Sequence, residues 1–130
     1  MIYSLKIGDC IFLETPGRYS ISHLWLIITK PFGTPPKVII VSLTTQRDGS
    51  DTTVVLGPGD HSFISHPTVV FYADARDVEA SLLERLVALD DNRLHRDPCS
   101  EELLTRIRDG LIASSFTPRR IKKLFSDHCL

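Results

Sequence analysis

Three histidines near the ends of predicted strands are the residues of this sequence best suited to chemistry. His61 and His66 lie five residues apart in a polar turn that leads into the apolar segment 68–72, and His23 directly precedes the apolar segment 24–28. Histidine is the side chain whose ordinary pKa lies near neutrality, so it can take up and release a proton at physiological pH. This arrangement predicts acid–base chemistry or contact with a phosphate.

Metal binding and cysteine chemistry are weaker interpretations of the same chain. Asp60 and His61 are adjacent, and adjacent side chains point to opposite sides of an extended chain, which is unfavourable for binding one metal ion. The cysteines are far apart and include no Cys-x-x-Cys pair, which argues against a zinc ribbon and against a disulfide framework. We therefore expect no metal and no cofactor, and a reducing cytoplasm as the setting. The three cysteines are Cys10, Cys99 and Cys129.

Length and composition indicate one small globular domain. With 130 residues, 42% of them hydrophobic and 24% charged, the chain can bury a core without disulfides or metals. The formal net charge of −1 provides no overall field that would attract nucleic acid. No apolar run approaches the ~20 residues of a membrane helix, and the N-terminal residues lack the pattern of a signal peptide. We expect a cytoplasmic protein without a membrane partner.

The first 75 residues must provide the strands that position the histidines. Short β-branched or apolar segments alternate with turns rich in glycine, proline and aspartate, which predicts five or six strands in a small barrel or sandwich. The predicted strands are Cys10–Leu13, Leu24–Ile28, Val38–Leu43, Thr52–Leu56 and Thr68–Tyr72.

The chain changes character after residue 75, where apolar residues recur at helical spacing. Ser100 is suited to cap a helix N-terminus, with two glutamates in the first turn that complement the helix dipole. Thr117-Pro118 predicts a capping residue followed by proline at the first helical position. The sequence therefore predicts an α+β protein in which strands in 1–75 and helices in 76–130 form a single domain.

Three of the predicted strands carry a family resemblance. Gly8-Asp9 followed by an apolar strand, then the segment 24–28, then the segment 38–46, which ends in Leu43-Thr44-Thr45-Gln46, resembles the MazF/PemK family of toxin ribonucleases. The resemblance covers roughly residues 5–90. It implies a small SH3-like β-barrel with C-terminal helices and metal-independent endoribonuclease activity on single-stranded RNA, by attack of the ribose 2′-OH. It also implies an antitoxin as protein partner and a homodimer.

The resemblance assigns roles to individual residues. Thr44 matches the family's threonine that contacts the scissile phosphate, whereas His23 stands where the family has its catalytic arginine. Arginine stays protonated and stabilises charge, but histidine can also exchange protons. We therefore expect His23 to work with His66 or His61 as an acid–base pair, and Arg18 to supply the cation. The predicted catalytic residues are His23, Thr44, His66 and His61, and the predicted substrate-binding residues are Arg18, Thr45, Tyr72 and Trp25, the last two as faces on which bases stack.

Two other interpretations of the whole chain remain open. In one, an SH3-like barrel has lost catalysis and binds RNA, a peptide or another protein. In the other, a toxin-derived protein acts as a regulator in a phage-defence operon. Single residues also have structural interpretations: His23 can bond a backbone carbonyl, His61 can cap its turn, and Trp25 can belong to the core.

Overall fold

A computed structural model describes residues 4–15 and 21–129 and has an α+β architecture. A one-turn 3₁₀ helix, Asp91–Arg93, separates the first two α-helices. The elements are β1 (Cys10–Thr15), β2 (Ile21–Ile27), β3 (Lys37–Thr45), β4 (Val55–Leu56), β5 (Thr68–Glu79), α1 (Ala80–Leu89), α2 (Glu101–Ala113) and α3 (Arg119–His128).

The five strands form one antiparallel sheet in the order β1-β2-β3-β5-β4, curled into a half-barrel. β3 is the central strand and is buried over most of its length. Among the described residues, no helix is long and apolar enough to cross a lipid bilayer.

Alternation along the central strands divides the core into two hydrophobic layers. Leu24 and Leu26 of β2 belong to a layer that packs against α2 and α3, whereas Trp25 and Ile27 belong to a layer that packs against α1. Both faces of the sheet are thus covered near its centre, which explains why these strands read as continuous apolar runs.

The sequence-based assignment of elements is largely confirmed, and the α+β class with it. Ser100 caps α2 by accepting a hydrogen bond from the Leu103 backbone N–H at 3.1 Å. Thr117 was expected to cap α3, and this is wrong: its hydroxyl donates to the Leu111 carbonyl at 2.7 Å, and Pro118 occupies the N-cap position. Thr117 cannot cap because its side chain is engaged with the preceding helix.

Two strands differ from the expected lengths. β4 contains only Val55–Leu56 of the expected 52–56, and β5 continues to Glu79, well past the expected end at Tyr72. The pairing of β3 with β5 shifts register between Ile40 and Ser42, so β5 carries extra residues there. This irregularity lets one long strand follow the curl of the sheet.

Gly110 of α2 offers a test of the layer beneath that helix. A Cβ at this position would overlap the Tyr72 hydroxyl and approach Val54 Cγ2 to 2.5 Å. The overlap should outweigh the ~1 kcal/mol by which alanine is the better helix former. We expect Gly110→Ala to lower the free energy of unfolding by about 1–3 kcal/mol in urea titrations. Gly57→Ala, where nothing lies within 4 Å of the added Cβ, is the matched control; equal stabilities would contradict this packing.

Asp77 fastens α3 to β5 and gives the fold an acid-sensitive contact. Its carboxylate accepts hydrogen bonds from both Arg120 Nη atoms, at 2.7 and 2.9 Å, and lies 3.4 Å from Lys37 Nζ. The bonds from Arg120 lower the pKa of Asp77 to about 2. A lowered folded-state pKa stabilises the fold above the unfolded value near 4, and this stability is lost as the pH falls towards 2.

We therefore expect Asp77→Asn to be less stable than the wild type at pH 7, with the difference narrowing between about pH 4 and about pH 2. Thermal unfolding of both proteins, followed by circular dichroism at pH 7 and at about pH 2, measures the effect. Asp127→Asn, which removes an exposed pair with Lys123 on α3, is the control and should change little. A stability difference between Asp77→Asn and the wild type that is the same at every pH would contradict a lowered pKa of Asp77.

Candidate functional site

The candidate site lies where β2 and β3 separate. Their pairing runs from Ile27–Ile40 to Trp25–Ser42. Beyond Ser42, β3 still pairs with β5 as far as Thr45, whereas β2 pairs with β1 from Cys10–Leu26 to Thr15–Ile21. The two central strands therefore diverge and leave an opening between their ends.

A cavity of about 460 Å³ fills this opening. Its volume is in the range of small-molecule sites, about 300–1,000 Å³. It contains two of the three predicted histidines and both predicted threonines. We call it the histidine cavity; it is lined by Ser22, His23, Leu24, Leu43, Thr44, Thr45, Arg47, Phe63, Ser65, His66 and Thr68.

His23 lies within β2 and is bonded to the neighbouring strand. Its Nδ1 is 3.3 Å from the Leu43 carbonyl oxygen. Because a carbonyl only accepts, Nδ1 carries the proton and the neutral ring has its lone pair on Nε2. Nε2 has no hydrogen-bond partner among the described residues, so His23 is arranged to accept a proton. The structural interpretation of His23, a bond to a backbone carbonyl, is thus confirmed, and this bond fixes the orientation of the ring.

His66 is held by hydroxyl groups on both sides of its ring. Nε2 is 3.0 Å from Thr45 Oγ1, and Nδ1 is 3.2 Å from Ser65 Oγ. A hydroxyl can donate to the neutral ring or accept from the protonated ring, so this setting suits both states of His66. The side chain is exposed, as an acid–base group that meets a substrate must be.

β3 anchors both imidazoles. His23 is bonded to the Leu43 carbonyl and His66 to the Thr45 hydroxyl, two residues further along the same strand. Two residues of a strand span about 7 Å, so the two anchoring residues lie about that far apart along β3.

Arg47 is the cation of the site, and the sequence analysis missed it. It follows β3 by two residues, lines the histidine cavity, and has no ion pair among the described residues. The sequence signal that would have found it is a cation two residues after Thr44-Thr45, just beyond Gln46. Arg18, the predicted cation, lies outside the described residues.

His61 has a structural environment and does not reach the histidine cavity. It is 8% exposed; its Nδ1 accepts a hydrogen bond from the Phe63 N–H at 3.0 Å, and its Nε2 donates to the Asp97 carbonyl at 2.8 Å. Both ring nitrogens are therefore used to hold the 61–66 turn against the segment before α2. The expected catalytic role of His61 is replaced by this cross-link.

Trp25 and Tyr72 occupy core positions rather than the base-stacking positions that the sequence predicts. Trp25 is buried in the layer beneath α1, with the Arg76 guanidinium 5.1 Å from its ring centroid. Tyr72 is fully buried and donates to the Ile107 carbonyl at 2.8 Å, and burial raises its pKa. Neither ring presents a free face to solvent. Phe63, which lines the histidine cavity and is 43% exposed, does.

The cysteines and Asp60 lie outside the histidine cavity. All three cysteines are free thiols. Burial, together with the neighbouring Cys99, raises the pKa of the Cys10 thiol to about 12, so it stays protonated near neutral pH. Asp60 accepts from the Gly57 N–H and from Arg106. Among the described residues, no three histidine, cysteine or acidic side chains are arranged to hold a metal ion.

Comparison with known proteins gives no family for this chain. No protein-family model matches it, and no curated protein sequence matches it.

The different environments of His61 and His66 can be tested by the free energy of unfolding of their alanine variants. His61→Ala would leave the Phe63 N–H and the Asp97 carbonyl without their partner, and we expect it to lower the free energy of unfolding by about 2 kcal/mol. His66→Ala, at an exposed position, should change it by less than about 0.5 kcal/mol. Urea unfolding of both variants measures the contrast; equal losses would contradict a structural role confined to His61.

Proposed function

We propose that the protein is a metal-independent endoribonuclease that cleaves single-stranded RNA by transesterification through the ribose 2′-OH. The observation that supports this most is the meeting of two imidazoles, two threonines and one arginine around the histidine cavity. This set supplies a base, an acid and donors for a phosphorane, which are the groups that such a reaction needs. The resemblance to MazF/PemK toxins points to the same reaction.

The proposed reaction begins with removal of a proton. His23 accepts the 2′-OH proton on Nε2, and the 2′-oxygen attacks the adjacent phosphorus. The bond from phosphorus to the 5′-oxygen of the next nucleotide then breaks, and protonated His66 gives that oxygen its proton. The products are a 2′,3′-cyclic phosphate and a 5′-hydroxyl, and proton exchange with water returns both histidines to their starting states.

Charge develops on the non-bridging oxygens during this step. Arg47 supplies the permanent positive charge beside the cavity, and the Thr44 and Thr45 hydroxyls supply hydrogen-bond donors. Thr45 also holds His66, so it positions the proposed acid. In this arrangement Arg47 takes the charge-stabilising role of the family arginine, while His23 takes up proton transfer at the family arginine's position.

The proposal extends to the fold and to partners. We assign the curled sheet to the SH3-like barrels, and we propose a homodimer and an antitoxin protein as partners, on the basis of the resemblance. A neighbouring antitoxin gene and toxicity on expression would be its biological counterparts.

The reaction can be tested with a long single-stranded RNA in buffer that contains EDTA. We expect specific cleavage by the wild type and at least about 100-fold slower cleavage by His23→Ala and His66→Ala, since each removes an acid–base group. Arg47→Ala should also be slow, because it loses the positive charge at the phosphate. Cleaved ends should carry 2′,3′-cyclic phosphates, which mass spectrometry identifies.

Two residues of α3 provide matched controls for this experiment. His128→Ala and Arg119→Ala remove the same kinds of side chain from a helix that does not line the histidine cavity, and both should cleave like the wild type. Absence of cleavage by the wild type from about pH 5.5 to about pH 8.5 would contradict the proposal. Full activity of His23→Ala would place the reaction elsewhere in the molecule.

A further inference from the structure

A second cavity adjoins the histidine cavity on the other side of Thr44, Thr45 and Arg47. Its volume is about 310 Å³, and those three residues line both cavities. A chain that places its phosphate at Arg47 would therefore place an adjacent nucleotide at this second cavity. Phe71 and Phe116 line it, and we call it the phenylalanine cavity.

The two phenylalanines are unusually accessible for their size. Phe71 is 43% exposed and Phe116 is 57% exposed, although large apolar side chains are normally buried. Phe71 lies directly opposite Ser42, and the next residue on that face, Val69, lies opposite Thr44. Phe71 is therefore in line with Thr44 along one face of the sheet.

Hydrogen bonds hold the loop of Phe116 against this cavity. The buried Ser114 hydroxyl donates to Asp51 Oδ2 at 2.6 Å, and Ser114 Oγ accepts from the Phe116 N–H at 3.1 Å. Burial alone would raise the pKa of Asp51, but hydrogen bonds from Ser114 and Thr53 lower it below its ordinary value. Asp51 therefore remains an acceptor near neutral pH, and these bonds hold the backbone of Phe116 at the edge of the cavity.

We infer that the phenylalanine cavity is a nucleobase subsite, in which Phe71 and Phe116 stack against a base next to the cleaved phosphate. The inference rests on the proposed ribonuclease function. Stacking on aromatic side chains is the usual way in which single-stranded RNA is bound. Because Arg47 lines both cavities, a base in the phenylalanine cavity would lie next to the residue that is proposed to contact the phosphate.

Asp48 gives the subsite a chemical preference. It lines the phenylalanine cavity and has no ion pair among the described residues. A carboxylate accepts hydrogen bonds from exocyclic amino groups, as aspartate does from the cytosine amine. Adenine, cytosine and guanine carry such a group and uracil does not, so the subsite disfavours uracil.

Binding of uncleavable oligonucleotides tests the subsite apart from catalysis. Fluorescence anisotropy with 2′-O-methyl oligo-A, oligo-C and oligo-U measures affinity, because these chains have no 2′-OH to react. We expect Phe71→Ala and Phe116→Ala each to weaken oligo-A binding about tenfold. Ile112→Ala, on α2 with a side chain 45% exposed, is the control and should bind like the wild type. In Asp48→Ala the preference for oligo-A over oligo-U should disappear; this ratio is the readout, because losing a carboxylate also reduces repulsion of phosphates.

The outcomes separate the subsite from the reaction. Oligonucleotide binding that depends on both phenylalanines supports the subsite even if ordinary RNA is not cleaved. If the wild type cleaves ordinary RNA but Phe71→Ala and Phe116→Ala bind the oligonucleotides as tightly as the wild type, the subsite is overturned and the ribonuclease proposal stands. Absence of binding to all three oligonucleotides also overturns it.

Discussion

The parting of β2 from β3 is the constraint on which the site depends. At Ser42 the ladder between these strands ends, and one residue later the Leu43 carbonyl accepts a hydrogen bond from the His23 side chain. The imidazole thereby continues the cross-strand bonding where the backbone of β2 has turned away with β1. The same event opens the histidine cavity and determines which ring nitrogen of His23 is free.

The remaining scaffold keeps the end of β3 in place. Pairing with β5 continues to Thr45–Thr68, so the segment that holds His66 stays in the sheet after β2 has left it. Behind it, Tyr72 is fastened to α2 through the Ile107 carbonyl, and His61 fastens the turn that carries His66 to the segment before α2. Buried, satisfied polar contacts of this kind specify one arrangement. A rigid strand end is the appropriate support for groups that, in the proposed reaction, meet a phosphate.

Local sequence patterns predicted much of this architecture because they depend on neighbours in the chain. Helical spacing of leucines and the Ser100 cap identified α1 and α2, and branched residues identified the central strands. The sequence also grouped His23, Thr44, Thr45 and His66, from histidines near the ends of predicted strands and from the family resemblance, and all four line one cavity. The histidine turn was different: His61 and His66 look alike in sequence, and only packing against Asp97, 36 residues away, distinguishes them.

The residues that sequence reasoning assigned differently depend on distant contacts. Tyr72 is an aromatic residue on a strand. Its hydroxyl is bonded to the Ile107 carbonyl of α2, 35 residues later, and no local pattern indicates this contact. Arg47 lines the histidine cavity because β2 and β3 diverge there, and no local sequence pattern indicates that divergence. The loop that carries Phe116 is tied to the loop between β3 and β4 by the bond from Ser114 to Asp51, across 63 residues.

In the proposed reaction His23 and His66 act on one phosphate, which histidine NMR can test. A nucleoside 2′,3′-cyclic phosphate, the proposed product, would be titrated into protein with labelled histidine rings. We expect the ring signals of His23 and His66 to shift together and saturate at the same ligand concentration, while those of His61 and His128 stay unchanged. Shifts confined to other histidines, or no shift at His23 and His66, would contradict it.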